Sequence, residues 1–394
     1  MFSTKLKLAV SVLLICILSI YFVGAVAQSA EDETMKAAFI YVGPVGDYGW
    51  SHAHDVARKK VDEQFDWLET VYVESVDEAA CEATIDQVVR DGADVVFTTS
   101  FGFMDPTVKA AEKHPETIFF HCSGVKRAPN LGTYFAELHQ TYYLNGLMAG
   151  ALTESDQLGY VGAFPTPEVK RHINAFAIGA REVNPEAEVQ VRWINDWYNP
   201  AAAKEATQAL ISAGVDALAF TEDSPTVLQV AQEEGAIGFS HYSPMYRFAK
   251  DATVSGQLVD WAVLYEDILM KIREGIYTSD NLEDVDYWWM LKEGAAEIGA
   301  KGDIPINPKY VEKLKEKQVE DPLLGKLSVF ELIQKRLEQM KAERVLFDPF
   351  IGPLYSRGGR QILQQNEWAT HDQLWQMQWA VEGVVGPWPG EPKS

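Results

Sequence analysis

Ile40-Tyr41-Val42-Gly43-Pro44-Val45-Gly46-Asp47-Tyr48-Gly49-Trp50-Ser51 runs from a buried-looking strand into a Gly/Pro-rich turn that carries one carboxylate and two aromatics. His52-Ala53-His54-Asp55-Val56-Ala57 carries on from Ser51 as a helix. A loop at the carboxyl end of a strand, opening onto a helix N-terminus, is where open α/β sheets place their ligands. Tyr41, Tyr48 and Trp50 offer flat apolar faces, and Asp47 offers hydrogen-bond acceptors. Nothing in the turn matches a phosphate-cradling pattern.

Outward from this loop, strands and helices alternate. Apolar, β-rich runs at 37–42, 68–73, 94–99 and 117–122 are separated by helical patterns at 51–64, 78–91 and 104–114. Such alternation implies a parallel sheet covered on both faces. A strand at 131–136 and a helix at 141–152, carrying Gly146 and Gly150, follow. A second cycle of the same architecture has strands at 158–164, 188–194, 217–221 and 236–240, with helices at 169–183, 201–213 and 226–234. The expected fold is therefore α/β, with two doubly wound parallel-sheet lobes joined by a hinge. Residues 36–152 plus about 253–280 are assigned to the first lobe, and 153–252 plus about 281–394 to the second. Residues 308–344 read as polar helix, 347–359 as a hairpin, and the aromatic segment 368–384 as a cover for the second lobe.

At 394 residues the chain suits two domains, and its 47% hydrophobic content supports a sizeable core. Lys5 and Lys7, the apolar run Leu8 to Val26 and the ending Ala25-Val26-Ala27 read as a signal peptide over residues 1–27. An uncleaved anchor is the alternative, and Cys16 lacks the small preceding residue of a lipidated cysteine. The expected address is periplasmic or otherwise extracytoplasmic. Loss of Lys5 and Lys7 moves the formal charge from −23 to −25. So acidic a chain is repelled by nucleic-acid backbones and anionic membranes, which disfavours a polymer-binding role. Cys81 and Cys122 read as buried thiols, with a disulfide as the alternative in an exported protein. There is no C-x-x-C, and His52 and His54 point apart on a helix, so neither a metal nor a cofactor is expected. No G-x-S-x-G or Walker A sequence is present, although paired carboxylates of a hydrolase stay open.

Six loops follow strands and would face one cleft: 43–51, 98–106, 163–168, 195–200, 221–225 and Ser240-His241-Tyr242-Ser243. The candidate ligand-binding residues in and beside them are Tyr41, Asp47, Tyr48, Trp50, Ser100, Phe101, Phe103, Asp105, Glu168, Trp197, Asp223 and His241. Aromatic faces with a few fixed acceptors suit a small planar ligand. Asp105 and Asp223 are equally placed to cap helices, and Trp197 to pack beneath its own loop.

Three stretches carry a family resemblance: Phe39 to Trp50, Thr98-Thr99-Ser100-Phe101-Gly102-Phe103-Met104-Asp105-Pro106, and Trp379-Ala380-Val381-Glu382-Gly383-Val384. From Lys36 to Gly383 the chain resembles the basic membrane protein family of ABC-transporter solute-binding proteins, the nucleoside-binding lipoproteins and their purine-base relatives. The resemblance implies a type I periplasmic binding protein fold, a ligand between two lobes, an ABC permease as partner, a monomer, and no catalysis. It also implies that Asp47 reads the base. Tyr48-Gly49-Trp50 stands where nucleoside binders carry a serine-phenylalanine-asparagine pattern, and Gln257-Leu258-Val259-Asp260-Trp261 lacks their sugar-binding lysine. Both departures point to a free purine base such as adenine. A purine nucleoside binder, a ligand-sensing module for a membrane receptor and a nucleoside-cleaving enzyme are the alternatives.

Overall fold

The computed structural model describes residues 34–391; the expected signal peptide lies outside the described residues. Two sheets form the body. The first is wholly parallel and takes β1 (Met35–Ile40), β2 (Leu68–Val73), β3 (Val95–Thr98), β4 (Ile118–Cys122) and β5 (Leu131–Ala136). The second takes β6 (Gln157–Gly162), β7 (Glu188–Trp193), β8 (Ala217–Phe220), β9 (Ile237–Tyr242) and β10 (Thr253–Val259). Two short strands complete them. β11 (Asp286–Trp289) runs parallel beside β5, and β12 (Ala296–Ile298) runs antiparallel beside β10. The strand orders are β11-β5-β4-β3-β1-β2 and β12-β10-β9-β8-β6-β7, with Val384–Val385 of the C-terminal segment added beside β7. Both sheets are doubly wound, with order reversal at β1/β3 and at β6/β8, so crevices open at the carboxyl ends of those strands. Every residue of β3, β4, β5 and β8 is buried, as strands covered on both faces require.

Three crossings join the lobes, and they correct the expected boundaries. The helix His139–Leu152 was assigned to the first lobe, but it packs against Pro167–Val183 in the second. Its first thirteen residues are all buried, and Gly146 and Gly150 allow the contact. A Cβ at Gly146 would lie 2.2 Å from the carbonyl oxygen of Phe176, and one at Gly150 2.3 Å from that of Ala180. The strand at 253–259 belongs to the second sheet, and only the following helix Trp261–Arg273 returns to the first lobe, against Trp50–Gln64. β11, assigned to the second lobe, pairs with β5 of the first. The chain changes lobe after each of β5, β10 and β11, where a strand end meets the next element.

A buried ionic cluster surrounds the first crossing. Glu137 accepts from the amide of His139 at 2.9 Å and pairs with Arg171, while His139 Nε2 lies 2.9 Å from Asp348. Burial opposes charge on His139, but Asp348 and Glu137 on its two sides outweigh it and hold the imidazole up to about 9. Burial likewise opposes the charge on Glu137, yet Arg171, His139 and His172 hold its carboxyl well below the ordinary range.

Residues beyond 304 wrap the second lobe. The expected helix at 308–344 is two helices, Pro308–Glu316 and Val329–Lys341, split by the hairpin Gln318–Asp321/Gly325–Ser328. Ser328 and Glu331 form a reciprocal cap that starts the second helix. The hairpin expected at 347–359 lies later, with Leu354–Tyr355 paired to Gln361–Leu363. Cys81 and Cys122 are free, buried thiols in separate packing clusters.

Candidate functional site

The two lobes meet at the start of the helix Trp50–Gln64. The first amides of a helix have no partner within it, and here two carboxylates supply them. Asp47 accepts from Gly49 at 2.8 Å, His52 at 3.0 Å and Ser51 at 3.2 Å. The amide of Trp50 donates at 3.0 Å to Asp223, which arrives from the opposite lobe. The approach is close: a Cβ added to Gly49 would lie 2.6 Å from Cα of Asp223. A side chain at that position would hold the lobes apart. Burial raises both carboxyls, and the charge of Asp47 raises Asp223 further. With three amide donors against one, Asp47 keeps the charge, while Asp223 is pushed well above the usual carboxylate range.

Beside this contact lies an inner cavity of about 30 Å³. Val42, Trp50, Ser100, Phe101 and Ser123 wall it from the first lobe; Glu168, Trp197, Asp223 and Tyr242 wall it from the second. Each comes from the carboxyl end of a strand. The Trp50 indole donates to the carbonyl of Thr99 and packs edge-on against Tyr242 at 5.1 Å and Trp261 at 5.2 Å. Trp197 is half-buried, 5.2 Å from Phe164, and its carbonyl accepts from the amide of Asp223 at 2.8 Å. Phe101 stands 48% exposed at the mouth. Glu168 sits in the first turn of Pro167–Val183, a helix started by the Thr166 cap and Pro167. Burial pushes its carboxyl up to about 7, with Arg171 opposing and the charge of Glu137 adding. Tyr242 donates to it at 3.3 Å.

Half of the sequence-derived candidates meet at this cavity: Trp50, Ser100, Phe101, Glu168, Trp197 and Asp223. The others do not. Tyr41 and Phe103 are fully buried in the packing of the first lobe. His241 turns into the second lobe, 3.0 Å from the hydroxyl of Tyr142. Side chains alternate along a strand, so its neighbour Tyr242 takes the cavity position. Asp47 spends both oxygens on its own turn. Tyr48 lies on the far side of the loop beneath Arg247, 4.2 Å away. Asp105 is exposed and paired with Lys126 at 2.6 Å.

Sequence reasoning missed Val42, Ser123 and Tyr242. Tyr242 was inside a quoted loop, and Ser123 follows β4 at a strand end that was passed over. Ser123 and Tyr242 hold φ values of 66° and 59°. Such strain in non-glycine residues gathers at functional sites. A second, outer chamber of about 390 Å³ shares Phe101, Ser123 and Glu168 with the first and is lined further by His371 and Trp375.

Comparison with known proteins gives this geometry its context. The model of the PnrA-like ABC transporter substrate-binding proteins matches residues 34–324. A putative ABC transporter glucose-binding protein of Haloferax volcanii is 42% identical over 273 residues, covering 69% of this chain and 68% of its own. A purine-binding protein of Brucella abortus is 34% identical over 366 residues, covering 92% of this chain and 96% of its own. An ABC transporter solute-binding protein from Conexibacter woesei shares the fold with a TM-score of 0.60 at 18% identity, over 80% of this chain and 100% of that one. One from Aeropyrum pernix does so with a TM-score of 0.62 at 16% identity, over 78% and 86%. Among the described residues, no helix is long and apolar enough to cross a membrane. With its family match across the body and its cavity between two doubly wound lobes, the chain belongs to the PnrA-like substrate-binding proteins of ABC transporters, extracytoplasmic carriers of a small molecule to a membrane permease.

Proposed function

We propose that the chain captures a purine base, adenine or a close relative, in the inner cavity and hands it to the permease from the closed form. The observation that carries this reading is the cavity itself. Rings from both lobes and two carboxyls converge on it, the combination of apolar faces and a few placed polar groups that small-molecule sites use. A flat bicycle presents two faces to Trp50, Phe101 and Trp197 and an edge of ring nitrogens to Glu168 and Asp223. A sugar attached to the base would have to reach into the outer chamber. The relative named as purine-binding aligns over nearly the whole chain, which supports the same ligand class.

The name of the Haloferax volcanii relative favours a second reading, a hexose, since aromatic faces and carboxyls serve sugars as well. Calorimetric titration with adenine, hypoxanthine, adenosine and glucose separates the readings. The purine reading expects binding of a free base, weaker binding of adenosine and none of glucose. Binding of glucose without either base would replace it. Mass spectrometry of ligand retained by the purified protein is the independent check. Release of free base from adenosine would instead mark a nucleoside-cleaving enzyme.

A further inference from the structure

The inner cavity has an uneven charge. Among the described residues that wall it there is no lysine, arginine or histidine, but there are two carboxyls, both on the second-lobe side. One oxygen of Asp223 takes the Trp50 amide at 3.0 Å, and one oxygen of Glu168 takes the Tyr242 hydroxyl at 3.3 Å. Among the described residues, none donates a hydrogen bond to the second oxygen of either. The nearby guanidinium of Arg171 is fully buried and already engaged by Glu137 and by the carbonyl of Leu374 at 2.6 Å.

We infer that the cavity selects among purines by charge, taking those without negative charge that offer N–H donors to Glu168 and Asp223 and turning away anionic oxopurines. The inference rests on the purine reading above and narrows its ligand class. A negative charge would enter a space walled by two carboxyls and no cation, where screening is weak and repulsion is correspondingly strong. A neutral purine instead places ring or exocyclic N–H groups against the two open oxygens. Burial raises both carboxyls, so either can also lend its own proton to an unprotonated ring nitrogen. Both arrangements satisfy a neutral edge, whereas an anion finds no cationic partner on the wall.

Titration of the whole protein with hypoxanthine and with uric acid at pH 7 tests this. The two share the ring skeleton, and uric acid is an anion at that pH. The expected result is that uric acid binds at least about 100-fold more weakly. Xanthine at pH 6, where it is neutral, controls for the added carbonyl and should bind close to hypoxanthine. Glu168→Gln and Asp223→Asn keep the shape and take away the ionisable carboxyl, and Glu168→Gln should narrow the hypoxanthine-to-urate ratio by about tenfold. Equal binding of hypoxanthine and uric acid overturns charge selection and leaves the purine reading standing. Rejection of neutral xanthine as strong as that of uric acid also overturns it, because shape then does the sorting. If no purine binds, the reading beneath it falls as well. The wild-type ratio decides alone if the variants fold poorly.

Discussion

Trp50 and Trp197 both wall the cavity, yet their surroundings assign them different costs. Trp50 is 7% exposed and packs among Tyr242, Trp261 and His54. Trp50→Ala should therefore cost about 3–5 kcal/mol of stability, as core aromatic truncations do, and a urea titration will show it. Trp197 is half-buried with a single ring neighbour. Trp197→Ala should keep the urea midpoint near wild type while base binding loses about 2 kcal/mol or more. Equal midpoint losses in the two variants would contradict this division. Gly49→Ala isolates lobe contact from both, because its methyl would meet the backbone of Asp223. Its Tm should stay near wild type while affinity for the base falls at least about tenfold. The residue scale is also where the sequence was hardest to read. Trp50 was legible as a site residue because a Gly-flanked turn has little other use for it, but its core packing was not. Asp47 reads in the sequence as a base reader, although an acid three residues before a helix start can serve the first amides. Asp223 was readable as a cap, but the helix it caps lies across the cleft, and no local pattern names a partner 173 residues away.

At the scale of elements, nearly every strand and helix of the two cycles was legible, because periodicity and strand-ending loops are local. Their ownership was not. His139–Leu152 reads as a helix from its own residues, but only the fit of Gly146 and Gly150 against Phe176 and Ala180 places it on the second lobe. The strand at 253–259 and β11 were misplaced for the same reason, since a crossing leaves no mark in the sequence. The ionic cluster at the first crossing gives this junction a measurable property. His139 is raised from 6.5 to about 9 by Asp348 and Glu137 against its own burial. A group with a raised value contributes fully below its unfolded value and loses that contribution as pH climbs through the folded one. Wild type should thus exceed His139→Gln in urea midpoint at pH 6, and the gap should close as the pH passes from 6.5 towards 9. A gap that stays constant across that window would mean the imidazole is neutral throughout. Glu137 acts with the opposite sign. Its lowered value adds stability above the ordinary carboxylate range, and that stability is lost on acidification.

Across the whole molecule, closure couples ligand capture to protons. Two lobes tied by three short crossings can swing about them, and opening would part Asp223 from the Trp50 amide and bring Asp223 and Glu168 into water. In the closed cleft, burial raises Glu168 from 4.5 to about 7 and carries Asp223 upward as well. Closing on a neutral ligand between those limits must therefore draw protons from the buffer, and linkage then makes affinity fall as pH rises towards 7 and beyond. Below about 4.5 both forms already hold the proton and the dependence disappears. Calorimetry at pH 6 in two buffers of different ionisation enthalpy measures the uptake directly. The apparent binding enthalpy should differ between the buffers in the sense of proton uptake, and Glu168→Gln should reduce the difference. Identical enthalpies in both buffers would show that the carboxyls meet the ligand ionised. The neutral acid would then play no part in recognition, and N–H groups of the ligand alone would satisfy the wall.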